Sequence, residues 1–233
     1  MEHLDIKLIQ FYFSVLEDEL NVYDKVTNKE SLQKLKSSHG LGALENENVI
    51  ENMSQPAFRC AFVYHFGPCI TSTLIHHFWQ LFKNHTLLLQ TIILRGKFTM
   101  CCFSSEFAMD FVAMVTVLQE ILCKYYSNSK SSSHSKGLKV EAIIINTNMN
   151  CNKMIEKMAK NLPKMLDVSR VDFKIRFFPV DLTKSFTDDV KEVLGQSDFV
   201  TMTHFLSRTH QKLNCLQVIQ VNISLSLKVF EYI

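Results

Sequence analysis

Residues Lys97–Val115, KFTMCCFSSEFAMDFVAMV, constrain the fold of this chain more than any other stretch. An apolar run, Phe98–Phe103, is followed by a short turn and then by residues with an apolar stripe at helical spacing. This pattern predicts the strand, turn and helix from which doubly wound α/β sheets are built. In such a unit, the first amide groups of the helix point toward the end of the strand. The turn, Ser104–Ala108, contains no glycine.

The rest of the second half continues this alternation of strands and helices. Apolar runs rich in β-branched and aromatic residues alternate with stretches of helical periodicity. The predicted strands are Leu138–Ile145, Val171–Val180 and Phe199–Leu206; the predicted helices are Asn150–Leu162, which stops at Pro163, and a short one between the N-cap Thr187 and Gly195. The predicted fold class is therefore α/β, with a doubly wound, mostly parallel Rossmann-like sheet.

Two stretches of the second half lie outside this alternation. Ser127–Gly137 is rich in serine and has no apolar residue, which predicts a flexible surface loop. The run Leu216–Phe230 alternates only in part. The roughly 30 residues after the fourth strand suffice for one or two more strands, so we expect an incomplete sheet.

The first 95 residues are predicted to be mainly helical. Residues 5–20 and those after Gly67-Pro68 each place apolar side chains on one helical face, whereas 21–57 are polar and predict a loop or short helical pieces. The two predicted faces consist of Ile9, Tyr12, Phe13, Leu16 and Leu20, and of Ile70, Leu74, Phe78, Leu81 and Phe82. We therefore expect a helical N-terminal subdomain, 1–95, and a Rossmann-like domain, 96–233.

Composition narrows the class of protein. Of the 233 residues, 47% are hydrophobic and 21% charged, which fits a globular chain with a substantial core. The net charge is only +2, so the sequence shows no clear basic patch for binding nucleic acid. The seven scattered cysteines indicate free thiols in a reducing compartment rather than disulfides. The N-terminus lacks the pattern of a signal peptide, and the apolar run Leu87–Leu94 is too short to cross a bilayer. We expect an intracellular protein, cytoplasmic or nuclear.

The order and spacing of the elements resemble the class I S-adenosylmethionine-dependent methyltransferases over Phe98–Leu206. In that family the first strand ends in a turn of the form G-x-G-P-G-S-D, and this chain has SSEFAMD at the matching place. The resemblance implies S-adenosyl-L-methionine as cofactor, bound by Phe103, Ser104, Ser105, Ala108 and Asp110. Glu106 and Phe107 depart from the family's turn, where glycine lets the backbone adopt positive φ against the ligand.

Two further landmarks of the family follow the second and third strands. The resemblance assigns Asn146 to the ribose hydroxyls, although an amide stands where an acidic residue is expected. It assigns Asp181 and Leu182 to the adenine. Asn146 and Asp181 also fit simpler roles. Asparagine commonly forms the turn that ends a strand, and aspartate commonly lies in a loop or caps the helix that follows.

The fourth-strand segment Ser197–Ser207 carries the polar residues that the resemblance places on the substrate side of the pocket. These are Thr201, Thr203 and His204. A histidine can act as a base at neutral pH, but within an apolar strand it is more often structural. The catalytic residues therefore stay unknown.

A metal site is not expected. Cys60, His65, Cys69, His76 and His77 lie within 18 residues, but their spacing matches no common zinc site. Adjacent His76 and His77 cannot share one helical face. Core packing and surface histidines account for these residues better.

Two functions remain open. One is a methyltransferase that uses S-adenosyl-L-methionine and acts on an unknown acceptor. The other is a catalytically inactive, methyltransferase-like fold that acts as a protein-interaction or scaffold domain, which the missing glycines and Asn146 favour. A nucleic-acid-binding module has only fold-level analogy behind it.

Overall fold

The computed structural model describes residues 2–23, 25–37, 52–103, 107–127, 137–146, 149–166, 170–180 and 186–202. Within these ranges, helices precede a region in which strands and helices alternate. The elements are α1 (Glu2–Val22), α2 (Lys25–Ser37), α3 (Pro56–Asn84), α4 (Thr86–Arg95), β1 (Lys97–Phe103), α5 (Met109–Ser127), β2 (Leu138–Asn146), a 3₁₀ turn (Met149–Cys151), α6 (Asn152–Leu166), β3 (Val171–Pro179), α7 (Asp188–Gly195) and β4 (Phe199–Thr201).

The four described strands form one parallel sheet in the order β3-β2-β1-β4. The chain moves outward from β1 through β2 to β3 and then returns to the other side of β1. Asp198 anchors this return, because its carboxylate accepts hydrogen bonds from Thr99 N–H at 2.9 Å and from Arg95 at 2.5 Å. The predicted α/β class with a parallel sheet is confirmed. Residues 203–206 of the predicted fourth strand lie outside the described residues, as do residues 128–136 of the predicted serine-rich loop and the run Leu216–Phe230.

Side-chain alternation divides the sheet into two faces. Phe98, Met100 and Cys102 of β1 join the large core formed with α1, α3, α5 and α6. Cys101 and Phe103 point to the opposite face and pack with α7. The helices of the first 95 residues therefore share one continuous core with the first face of the sheet. Helices on both faces are what a parallel sheet requires.

The buried face of α1 differs from the predicted one. Tyr12 and Leu16 are buried, but Ile9 and Phe13 are 57% and 51% exposed. The buried face is completed instead by Leu8, Phe11 and Val15. Apolar residues surround much of this helix, so helical spacing alone admits more than one stripe, and the packing partner decides between them.

Helix α3 begins at Pro56 and runs through Gly67 and Pro68, so it contains the helical face predicted after Pro68 and extends further toward the N-terminus. Pro56 suits the first turn, where its missing N–H has no helical partner anyway. Gly67 lets α1 approach closely, because a Cβ there would lie 3.0 Å from the Tyr12 ring. Buried Phe66, Ile70 and Thr71 pack this part of the helix against the core, which compensates for the hydrogen bond that proline removes.

Helix α6 likewise passes through a proline. It includes Pro163 and ends at Leu166, so the prediction that the helix stops at Pro163 was wrong. Buried Met158 and Leu162 hold this last part against the core. Prediction was accurate for α7, whose N-cap is Thr187 and whose last residue is Gly195.

The described cysteines are free thiols, namely Cys60, Cys69, Cys101, Cys102, Cys123 and Cys151. Cys215 lies outside the described residues. No helix in the described ranges is long and apolar enough to cross a membrane.

Candidate functional site

The candidate site lies where β1 and β4 end side by side. The chain leaves β1 toward α5 and the first face, whereas β4 is reached through α7 on the second face. This reversal of strand order is the switch point at which α/β proteins of this class commonly bind ligands. The described residues at this point are Phe103, Phe107, Ala108, Asp110 and Thr201.

Asp110 joins the start of α5 to the end of β4. The Thr201 hydroxyl donates a very short hydrogen bond to Asp110 Oδ2, and the Phe111 N–H lies 3.0 Å from Oδ1. Asp110 is 0% exposed and Thr201 is 6% exposed. A carboxylate in the first turn of a helix also interacts favourably with the helix dipole. Asp110 is therefore part of the internal structure and has no solvent-facing oxygen.

The groups around Asp110 are held in their neutral forms. Burial raises the pKa of Cys101 and Cys102, and the nearby negative charge of Asp110 raises both further. Burial also raises the pKa of Tyr12, whose hydroxyl lies 2.5 Å from Thr71 Oγ1. A thiol acts as a nucleophile only as the thiolate. Neither Cys101 nor Cys102 is suited to nucleophilic catalysis.

The turn after β1 keeps a glycine-like backbone conformation without a glycine. Ala108 has a φ of +48° and is completely buried. The left-handed region costs an L-residue roughly 1–2 kcal/mol. Ala108 therefore adopts the left-handed conformation that glycine most readily supplies.

Aromatic side chains fill the space on both faces at the end of β1. Phe107 is 2% exposed and stacks on Phe62 of α3 with 5.5 Å between ring centroids. Phe186 packs against Phe103 on the other face, at 5.8 Å. Stacked aromatic pairs of this kind add to the stability gained by burial. Phe107, one of the two residues at which the sequence departs from the turn of the resembled family, thus packs against α3 on the first face.

The structure brings together three of the predicted cofactor-binding residues. Phe103, Ala108 and Asp110 are all 0% exposed, and Asn146 is 3% exposed at the end of the neighbouring strand β2. Thr201, predicted for the substrate side of a pocket, is 6% exposed and bonds to Asp110. The other predicted site residues, Ser104, Ser105, Asp181, Leu182, Thr203 and His204, lie outside the described residues.

The cysteines and histidines of α3 do not converge. Cys60 is buried, whereas His65, Cys69, His76 and His77 are exposed along the helix. Burial, together with the negative charge of Glu19, raises the pKa of Cys60 to about 11. No group of three or more metal-ligating side chains occurs among the described residues.

A charged cluster on the second face of the sheet was not predicted from the sequence. Glu141 of β2 accepts ion pairs from Arg176 at 2.6 Å, Lys174 at 3.2 Å and Lys97 at 3.9 Å. The available signal was a single glutamate in an otherwise apolar strand, LKVEAIII. Its partners lie on two other strands, so only the strand register reveals them.

Among the described site residues, Asp110 presents no solvent-facing oxygen to a ligand. A cofactor needs polar atoms that face an open cleft, and here the Asp110 oxygens bind Thr201 and the backbone of α5. Comparison of the chain with protein-family models, with curated proteins and with solved structures finds no match.

Proposed function

We propose that this chain is a catalytically inactive, methyltransferase-like α/β protein that acts as a protein-interaction or scaffold domain. The observation behind the proposal is the buried hydrogen bond between Asp110 and Thr201 at the switch point. It occupies the polar side chains nearest to the place where the resemblance puts a cofactor. The packed Phe107 supports the same conclusion.

Energetics favour this assignment. A hydrogen bond to a charged group contributes about 1.5–3 kcal/mol, and removing a partner from a buried one costs more. A ligand that competed for Asp110 would have to replace the bond to Thr201 and displace buried side chains. Typical cofactor sites are instead largely preformed, with polar groups that converge on an open cavity.

The second candidate is an active S-adenosylmethionine-dependent methyltransferase with an unknown acceptor. One observation favours it, the positive φ of Ala108 combined with the strand order β3-β2-β1-β4. A turn that served only to start a helix has no need of a left-handed residue. This candidate requires that residues outside the described ranges, Asp181 among them, supply the polar contacts.

Calorimetric titration of the full chain with S-adenosylmethionine and S-adenosylhomocysteine tests both candidates. We expect no heat of binding and no shift in melting temperature at millimolar ligand, from protein that circular dichroism shows to be folded. Saturable micromolar binding that is lost in Asp181→Ala would overturn the interaction-domain proposal. A matched control is Asp172→Ala, an exposed carboxylate on β3, which should leave any such binding unchanged.

A further inference from the structure

Strand β3 lies at an edge of the sheet that the described residues form, and it is long for an edge strand. It has nine residues, and the described part of the chain pairs it only with β2. An edge strand presents a row of N–H and C=O groups to which another extended chain can add. The side chains of β3 alternate between the two faces, so they determine which chain would fit.

On the first face, β3 carries Phe173, Ile175 and Phe177. These side chains pack against the large core but are only partly buried. Phe111 of α5 contacts Phe173 with 5.4 Å between ring centroids. An added strand with apolar side chains on this face would bury the part of this row that stays exposed, which is favourable at about 25 cal/mol per Å².

On the second face, β3 carries Lys174 and Arg176. Both pair with Glu141, whose side chain is 9% exposed, while the cationic side chains are 66% and 44% exposed. The negative charge therefore lies beneath and the positive charges lie outermost. The exposed side chains of Lys97 and Lys139 extend this cationic surface across β1 and β2, around a shallow depression.

We propose that the β3 edge binds an extended, acidic segment of a partner protein as an added strand. Main-chain hydrogen bonds to β3 would hold the segment. Acidic side chains on one face of the segment would meet Lys174 and Arg176, and apolar side chains on the other face would cover Phe173, Ile175 and Phe177. Charge complementarity and side-chain alternation thus specify the same kind of partner.

Two other occupants fit less well. Antiparallel pairing of β3 with a second copy, centred on Ile175, places Lys174 opposite Arg176, and like charges directly opposite are destabilising. A nucleic acid would neutralise the cations, but it has neither main-chain amides for the strand edge nor apolar side chains for the first face.

This inference goes beyond the proposed function, because the β3 edge is separated from the β1–β4 junction by strand β2. It holds whether or not a cofactor binds. The cofactor titration and the peptide experiment below can therefore fail independently of each other.

Fluorescence anisotropy of the full chain with labelled nine-residue peptides tests the proposal. The probe alternates glutamate with valine, and a second peptide has lysine in place of glutamate. We expect binding of the acidic peptide only, with an affinity that falls at least threefold between 50 and 200 mM salt. Lys174→Gln should weaken binding about three- to fivefold, and K174Q/R176Q about tenfold or more. The control K153Q/K160Q removes two exposed lysines of α6 and should change nothing.

Backbone methylation distinguishes strand addition from simple charge attraction. Alternate N–H groups of an extended peptide point to opposite edges of the strand, so only one set can face β3. N-methylation of that set should abolish binding, whereas N-methylation of the other set should leave binding intact. Equal binding by both methylated peptides, or no effect of K174Q, overturns the proposal. Tighter binding of a ten-nucleotide oligouridine than of the acidic peptide also overturns it, as does the absence of any peptide binding. Because Lys174→Gln leaves Arg176 on Glu141, it keeps the test valid if the double variant fails to fold.

Discussion

Thr201 and Asp110, 91 residues apart in sequence, are joined by a buried hydrogen bond from the threonine hydroxyl to the aspartate carboxylate. The bond connects the end of β4 to the first turn of α5 and so closes the junction between β1 and β4. In proteins of this architecture the same junction commonly opens to a ligand. Here a side-chain contact fills it, which links the packing of the sheet to the proposed loss of cofactor binding.

The first prediction concerns this bond. Thr201→Val keeps the shape of the side chain but leaves a buried carboxylate without its hydroxyl partner, so we expect the free energy of unfolding to fall by about 2–4 kcal/mol. Urea denaturation measures it. Thr73→Val on the exposed side of α3 is the control and should cost at most about 0.5 kcal/mol. A Thr201→Val protein as stable as the parent would mean that the bond does not hold the junction.

Sequence periodicity predicted most strands and helices of the second half, because a buried parallel strand and its crossover helix each leave a strong apolar signal. It failed at Pro163, where the packing of buried Met158 and Leu162 overrides the local rule that proline ends a helix. It also failed at Ile9 and Phe13, where only the position of α3 determines which side of α1 is covered. These errors share one cause, because tertiary packing outweighs local preference.

The second prediction is a loss of stability at alkaline pH. Burial raises the pKa of Tyr12 above its ordinary 10.0, so the folded chain keeps this proton while the unfolded chain releases it. The neutral Tyr12 phenol makes its full contribution to the free energy of unfolding below pH 10, and this contribution decreases as the pH rises above 10. Burial also raises the pKa of Cys102 above its ordinary 9.0, so this thiol adds a loss of stability that begins about one pH unit lower.

Urea denaturation between pH 7 and 11 measures this effect. The free energy of unfolding should fall above pH 9, and Tyr12→Phe should make the fall above pH 10 less steep. Tyr125→Phe, which changes an exposed tyrosine of α5, is the control and should leave the slope unchanged. Identical slopes for Tyr12→Phe and the parent protein would contradict a buried, neutral Tyr12.

The third prediction concerns thiol reactivity. Cys69 and Cys123 are exposed, whereas Cys101 and Cys102 are completely buried with raised pKa values. Iodoacetamide at pH 8 should therefore modify the first pair in the native protein and the second pair only after addition of denaturant. Peptide mass spectrometry identifies the modified residues, and Cys60, with its pKa of about 11, should also be protected. Native modification of Cys102 would show that the junction opens to solvent.

Of the candidate site, sequence could locate the turn, Asp110 and Asn146, because each is fixed by its position after a strand. It could not show that Asp110 bonds to Thr201, since their contact depends on β4 returning beside β1. It could not assemble Glu141, Lys174 and Arg176 either, because the pairing register of β2 with β3 brings them together. Contacts made across strands that are distant in sequence leave no local pattern to read.

The fourth prediction tests the backbone at Ala108. Ala108→Gly relieves the left-handed φ but removes a buried methyl group, so we expect the free energy of unfolding to change by less than about 1 kcal/mol. Ala108→Val should destabilise by more than about 2 kcal/mol, since a β-branched residue tolerates neither positive φ nor this packing. The control is Ala159, in the middle of α6. Ala159→Gly should lower the free energy of unfolding by about 1 kcal/mol, and Ala159→Val should lower it by less than Ala108→Val does.

The two alanines separate the effect of backbone conformation from the effect of burial. Ala108 is completely buried and Ala159 only partly, so burial alone would make glycine more harmful at 108. We expect the reverse order because only Ala108 has a positive φ. Chemical denaturation of both pairs of variants measures the order. If glycine proves more harmful at 108, the turn has an ordinary backbone, and the observation that favours an active methyltransferase is removed.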